Sequence, residues 1–94
     1  MIVANFEANV LVSLRPSVLD PAGEATKSAA KRLGVDGISK LRIGKSIDLE
    51  LEAADEQEAR QFVELLSDRL FANPVIEDWK LHIRPTSNDS LLDS

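Results

Sequence analysis

The chain of 94 residues contains no cysteine and a single histidine, His82. Without thiols there is no disulfide staple, no thiol nucleophile and no Cys/His cluster for a structural metal. The lack fits a reducing, cytoplasmic setting. Aromatic side chains are scarce, three phenylalanines and one tryptophan, and they are not interleaved with arginines as a base-stacking platform requires. No run approaches the roughly 20 apolar residues of a membrane span. The N-terminus lacks the basic region and continuous apolar core of a secretory signal. Basic residues number 11 against 16 acidic ones, for a net charge of −5. They are scattered, so the positive patch that a nucleic-acid partner needs is missing. Gly23, Gly34, Gly37 and Gly44 form no phosphate loop, and no serine lies in a nucleophile elbow.

What is present is alternation. In Leu41–Ala53, apolar Leu41, Ile43, Ile47, Leu49, Leu51 and Ala53 alternate with Arg42, Gly44, Ser46, Asp48, Glu50 and Glu52. Successive strand side chains point to opposite faces, so this is strand with one buried and one wet side. Lys45 breaks the apolar series. Either the chain turns back at Gly44-Lys45 as a hairpin, or one long strand carries a lysine on its buried face; the cost of unpaired buried charge favours the turn.

A first strand is predicted over Phe6–Leu14, with Leu11 on its polar face, as if another subunit partly covered that face. Asp20-Pro21 reads as a helix start and Gly34 as its terminator, with Ala22, Ala25, Ala29 and Leu33 as the buried stripe. Asp55 with Glu58 is an acidic capping box that opens a second helix to about Leu70, buried through Ala59, Phe62, Val63, Leu66 and Leu70. Asn73-Pro74 breaks it, and Val75, Trp79, Leu81 and Ile83 mark a last strand ending at Pro85. The order predicts an α+β fold: a two-layer, ferredoxin-like βαββαβ sandwich, an antiparallel sheet with two helices on one face. If the middle segment is one strand, it pairs across a dimer. Residues 1–85 make one domain and 86–94 a polar, mobile tail. So short a chain buries only about 60–65% of its unfolded surface, which leaves self-association as the common way to bury more.

The residues offer little chemistry. His82 reads as a solvated strand residue. Asp48, Glu50 and Glu52 share one strand face, as a metal or acid–base site or, the preferred reading, as charges that discourage edge pairing. Trp79 beside Glu77-Asp78 is either a partner anchor or a core tryptophan with its N–H bonded.

Three stretches together are more specific: Leu19-Asp20-Pro21-Ala22-Gly23-Glu24-Ala25, Ile43-Gly44-Lys45, and Leu70 to Asp78, LFANPVIED. In this order and separation they resemble the PurS family, small subunits of phosphoribosylformylglycinamidine synthase, over about Val10 to Ile83. The mild departure is Asp78-Trp79, where an aromatic, often tyrosine, is usual. The resemblance implies a non-catalytic subunit in purine biosynthesis, forming dimers or tetramers. It implies binding to PurQ, the glutaminase that releases ammonia, and to PurL, the synthetase that uses ATP and Mg²⁺. It implies no cofactor, metal or catalytic residue in the chain itself. The docking surface it suggests is Asp20, Pro21, Gly23, Gly44, Lys45, Asn73, Pro74, Glu77 and Asp78. Of these, Asp20, Pro21, Gly44 and Pro74 already have local structural explanations, whereas Lys45, Glu77 and Asp78 have weaker ones. A regulatory or small-molecule-binding module on the same fold is the alternative.

Overall fold

The computed structural model describes residues 3–86; the predicted mobile tail lies, from residue 87 on, outside them. The elements are β1 (Ala4–Leu14), α1 (Pro21–Arg32), β2 (Lys45–Ala53), α2 (Glu56–Leu66) with a π-helical extension (Ser67–Phe71), and β3 (Glu77–Pro85). The architecture is α+β, an antiparallel sheet with two helices, and among the described residues the sheet has three strands in the order β2-β1-β3.

Alternation sets the faces as the sequence predicts. Phe6, Ala8, Val10 and Val12 of β1 are all buried. In register beside them stand Leu51, Leu49 and Ile47 of β2 and Ile83, Leu81 and Trp79 of β3. Ala59 and Val63 of α2 close over this face. The Asp55 carboxylate accepts from the Glu58 N–H at 2.8 Å, and the Glu58 carboxylate accepts from the Ala54 N–H at 2.9 Å, so the capping box closes one residue earlier than Asp55 itself.

Val75, read as part of the last strand, lies in the turn before β3, and Phe62, read as buried, is 43% exposed. Three larger expectations change. The turn favoured at Gly44-Lys45 is absent: the chain enters β2 at Lys45 without folding back, and residues 35–44 hold no strand. Lys45 does fall on the apolar face, opposite Val12, but as the first residue of an edge strand it stays exposed. The desolvation cost that argued for a turn is therefore never incurred. The second helix also changes phase. The Ala72 N–H donates to the Ser67 carbonyl at 3.0 Å, a five-residue step that widens the turn. Leu70 consequently faces solvent, 71% exposed, while Phe71 packs on the core and Ala72 is buried.

The third change concerns α1. Its alanine stripe is not buried: Gly23 is its one buried residue, and Leu33 is 86% exposed. The molecule measures 57 × 35 × 15 Å, a plate in which α2 packs on all three strands and α1 does not. Gly34 ends α1 as predicted. At φ 94° it closes a pair of bonds in which its own N–H and that of Val35 donate to the Lys31 and Ala30 carbonyls, both at 3.0 Å.

Val63→Ala should therefore cost about 2–3 kcal/mol, from lost transfer energy and the cavity left behind. Leu70→Ala should cost under about 0.5 kcal/mol, as exposed positions do. Urea unfolding at fixed protein concentration checks both; equal losses would contradict the rotation at the π-turn.

Candidate docking site

The residues singled out from the sequence converge on one end of the sheet. There β1 finishes, β2 begins and β3 begins: Val12 pairs with Lys45, Ser13 with Asp78 and Leu14 with Glu77. Gly44 precedes Lys45 and rides over the Val12 carbonyl; a Cβ there would stand 2.7 Å from that oxygen. A shallow groove of about 570 Å³ opens at this end, with Ser13, Lys45, Asp78, Trp79 and Lys80 on its walls.

Asp20 ties α1 to this end. Its carboxylate is buried and accepts from two backbone N–H groups, Gly23 at 2.9 Å and Ile43 at 2.8 Å. The first bond is the helix cap expected of it. The second joins the cap to the segment entering β2. Gly23 completes the joint, since any Cβ there would overlap the Leu41 carbonyl oxygen and crowd the Asp20 carboxylate. Pro21 holds the first helical position and is exposed.

Asn73, Pro74, Glu77 and Asp78 build the turn into β3. The Asn73 side-chain oxygen accepts from the Val75 N–H at 3.0 Å, and its carbonyl accepts from Ile76 and Glu77 at 3.1 and 2.8 Å. Glu77 is half-buried, and its carboxylate accepts from the Asn73 N–H at 2.7 Å. Asp78 pairs with Arg15 at 3.2 Å. Trp79 is half-buried on the core, and its indole N–H donates to Asp68 at 3.0 Å, which is the core reading with its N–H bonded. Lys45 and Pro74 are exposed.

Two residues that hold this end together, Arg15 and Arg42, were not singled out from the sequence. The Arg15 guanidinium donates to the Pro74 carbonyl at 2.6 Å, the Val75 carbonyl at 3.1 Å and Asp78 at 3.2 Å. Its backbone N–H donates to the Ile76 carbonyl at 2.9 Å, and its carbonyl accepts from the Arg42 guanidinium at 2.9 Å. The partners of its side chain lie 59 to 63 residues away, so no local spacing could reveal them. The one available signal was an arginine placed directly after a strand that ends at Arg15-Pro16.

The opposite face of the sheet is polar. Asn9 donates to Ser46 and to Asp48, both at 2.7 Å, and Arg84 pairs with Glu7 at 2.7 Å. Glu7, Asn9, Asp48 and Arg84, with Glu50 and His82, line a shallow depression of about 670 Å³. Among the described residues no group of three or more His, Cys, Asp or Glu side chains could hold a metal ion. No described helix is long and apolar enough to cross a membrane. Leu11 lies on this polar face, 44% exposed.

Against known proteins, the profile of a family described as PurS, phosphoribosylformylglycinamidine (FGAM) synthase, matches residues 7–85. The chain is 49% identical over 79 residues to a phosphoribosylformylglycinamidine synthase subunit PurS from Synechocystis sp., covering 84% of this chain and 79% of that protein. It is 35% identical over 78 residues to the PurS subunit of Bacillus subtilis, 83% of this chain and 92% of that one. Among solved structures it superposes on Methanocaldococcus jannaschii PurS with a TM-score of 0.77 and 28% identity, covering 87% and 99% of the two chains. A chain of the PurLQS structure from Thermotoga maritima gives a TM-score of 0.76 and 33% identity over 87% of this chain and 98% of that one.

The amides of Ile43 and then Gly23, donating to Asp20, hold its carboxyl below the ordinary value of 3.8, against a smaller opposing effect of burial. A folded value below the unfolded one means that the stabilisation is complete above the ordinary value and is lost as pH falls through the folded value. Asp20→Ala should therefore be less stable than the wild type at neutral pH and should lose less stability between about pH 4 and pH 2. Unfolding midpoints across that range check it; parallel acid limbs would mean that the latch contributes nothing.

Proposed function

The chain belongs to the PurS family of phosphoribosylformylglycinamidine (FGAM) synthase, and on that premise we propose that it is the non-catalytic subunit of this glutamine-dependent carbon–nitrogen ligase. In this role it bridges the PurQ glutaminase and the PurL synthetase and assists ammonia transfer between them during purine biosynthesis in the cytoplasm. ATP and Mg²⁺ are used by PurL, and this chain binds no cofactor. It also associates with itself, as a dimer or tetramer.

The observation that carries the reading is the joining of three separate stretches, 19–25, 43–45 and 70–78, at one end of the sheet through Asp20, Arg15 and Arg42. Free ammonia exposed to water is protonated and ceases to be a nucleophile. A protein that holds two active sites in register shortens and seals its route, which is a form of solvent exclusion. The docking surface proposed is Lys45, Glu77 and Asp78 first, with Asp20, Pro21, Gly23, Gly44, Asn73 and Pro74 around them. Their bonding divides the work. Asp20, Gly23, Asn73 and Glu77 are occupied in shaping the surface, whereas Lys45, Pro21 and Pro74 present side chains to solvent. A flat subunit with exposed Leu19, Leu33 and Val75 suits assembly, because such apolar surface gains free energy when covered.

Lys45→Ala should lower glutamine-dependent FGAM synthesis by the complex reconstituted with PurL and PurQ. Synthesis from added ammonium, which bypasses transfer, should stay within about twofold. Unchanged glutamine dependence with intact complex formation would remove Lys45 from the surface. Failure of the wild-type chain to bind either partner under any ligand condition would remove the bridging role itself.

A further inference from the structure

Arg15 directs its side chain and its backbone N–H toward a distant segment. Its guanidinium meets the Pro74 and Val75 carbonyls and the Asp78 carboxylate, its N–H meets the Ile76 carbonyl, and its carbonyl receives Arg42 and the Val18 N–H. The turn it grips does not need this to hold its own shape. Asn73 and Glu77 already close the turn through Asn73 Oδ1 to the Val75 N–H, the Asn73 carbonyl to two N–H groups, and the Glu77 carboxylate to the Asn73 N–H. What Arg15 adds is placement. It fixes the turn against the end of β1 and, through Arg42, against the segment that Asp20 holds at Ile43.

The fold gains little from this arrangement. The Arg15 and Asp78 side chains are 44% and 63% exposed, and ion pairs so exposed are weak. The turn carries Val75 at 75% exposure, with no core beneath it to position. Arginine also differs from lysine here, because its planar fork serves two carbonyls and a carboxylate from three separate nitrogens, whereas a lysine would have to serve all three from one.

We propose that Arg15 is a positioning residue that locks the Asn73–Asp78 turn to the Leu41–Gly44 segment, so that the two docking elements meet their partners in one register. The proposal rests on the bridging role stated above. Arg15 touches no substrate; it acts through the turn. Docking geometry is where small displacements are costly, so the effect on coupled synthesis should exceed the effect on folding.

The test uses the full chain with purified PurL and PurQ, comparing wild type, Arg15→Lys, Arg15→Ala and Asp78→Asn. Arg15→Lys and Arg15→Ala should reduce glutamine-dependent synthesis on the order of tenfold, with ammonium-dependent synthesis within about twofold. Amide hydrogen exchange across residues 73–78 of the isolated subunit should rise in both variants, while the urea midpoint moves little. Asp78→Asn, which leaves the two carbonyl bonds in place, should raise exchange at 73–78 less than Arg15→Lys does. Unchanged glutamine-dependent synthesis despite faster exchange at 73–78 would overturn the positioning role. So would equal loss of both activities in step with a lower urea midpoint, which would make Arg15 a residue of stability alone. A wild-type chain that supports no glutamine-dependent synthesis would instead overturn the bridging role, and the positioning role with it.

Discussion

The structure depends on β1 being, among the described residues, the only strand with a neighbour on each side. Both ladders run through its eleven residues, and α2 lies on the face it shares with its neighbours. The gradient of burial follows directly. Phe6, Ala8, Val10 and Val12 are buried, while their counterparts on β2 and β3, at the sheet edges, are mostly half-covered. A single helix of eleven residues spans about 16 Å at 1.5 Å per residue. It can cover the middle of a three-stranded sheet but not its margins. The molecule is consequently a plate with one well-packed seam, and much of the apolar surface its sequence encodes remains at the rim.

That constraint explains which features could be read from the sequence. Strand faces, the Asp20 and Asp55 caps and the Gly34 terminator are local: each follows from residues within a few positions of one another. The strand reading at Phe6–Leu14 survives because alternation reports directly on which side is covered, and so does the last strand from Trp79 to Ile83, whereas Val75, read as its first apolar member, lies exposed in the turn before β3. The failures are equally physical. The hairpin at Gly44-Lys45 was inferred from the cost of burying a charge, but burial depends on where along an edge strand the residue falls. The alanine stripe of α1 assumed a sheet wide enough to receive a second helix. The π-turn at Ser67–Phe71 could not be read from a 3.6-residue repeat, since one added residue rotates everything after it.

The candidate site shows the same division. Its composition was legible as three motifs, yet the physical link between them was not. Asp20 read as a cap, and that was correct but incomplete: the second oxygen of the same carboxylate takes the Ile43 N–H, 23 residues on. Arg15 simply follows the predicted strand Phe6–Leu14. The bonds that make it a hub span 59 to 63 residues and leave no periodic trace. A motif whose members are explained one by one as cap, breaker and turn can still be one object, because each structural role uses only part of a residue's bonding capacity.

That remaining capacity separates residues that shape the surface from residues that can act on it. A carboxylate has about four acceptor positions and an arginine about five donors. Asp20 has two of these positions taken, by Gly23 and Ile43, and is buried, and Arg15 has three of its donors taken, so both groups are committed first to geometry. Lys45 stands apart. It sits on the apolar face yet beyond its cover, at the first position of an edge strand, in line with Val12 and Trp79. A lysine there is exposed on a base fixed on both sides, by Gly44 against the Val12 carbonyl and by the β1 ladder. Internal hydrogen bonds thus go to rigidity at this end, and the Lys45 charge is left to solvent. In the docking surface proposed above, that arrangement supplies a fixed backbone with an uncommitted tip.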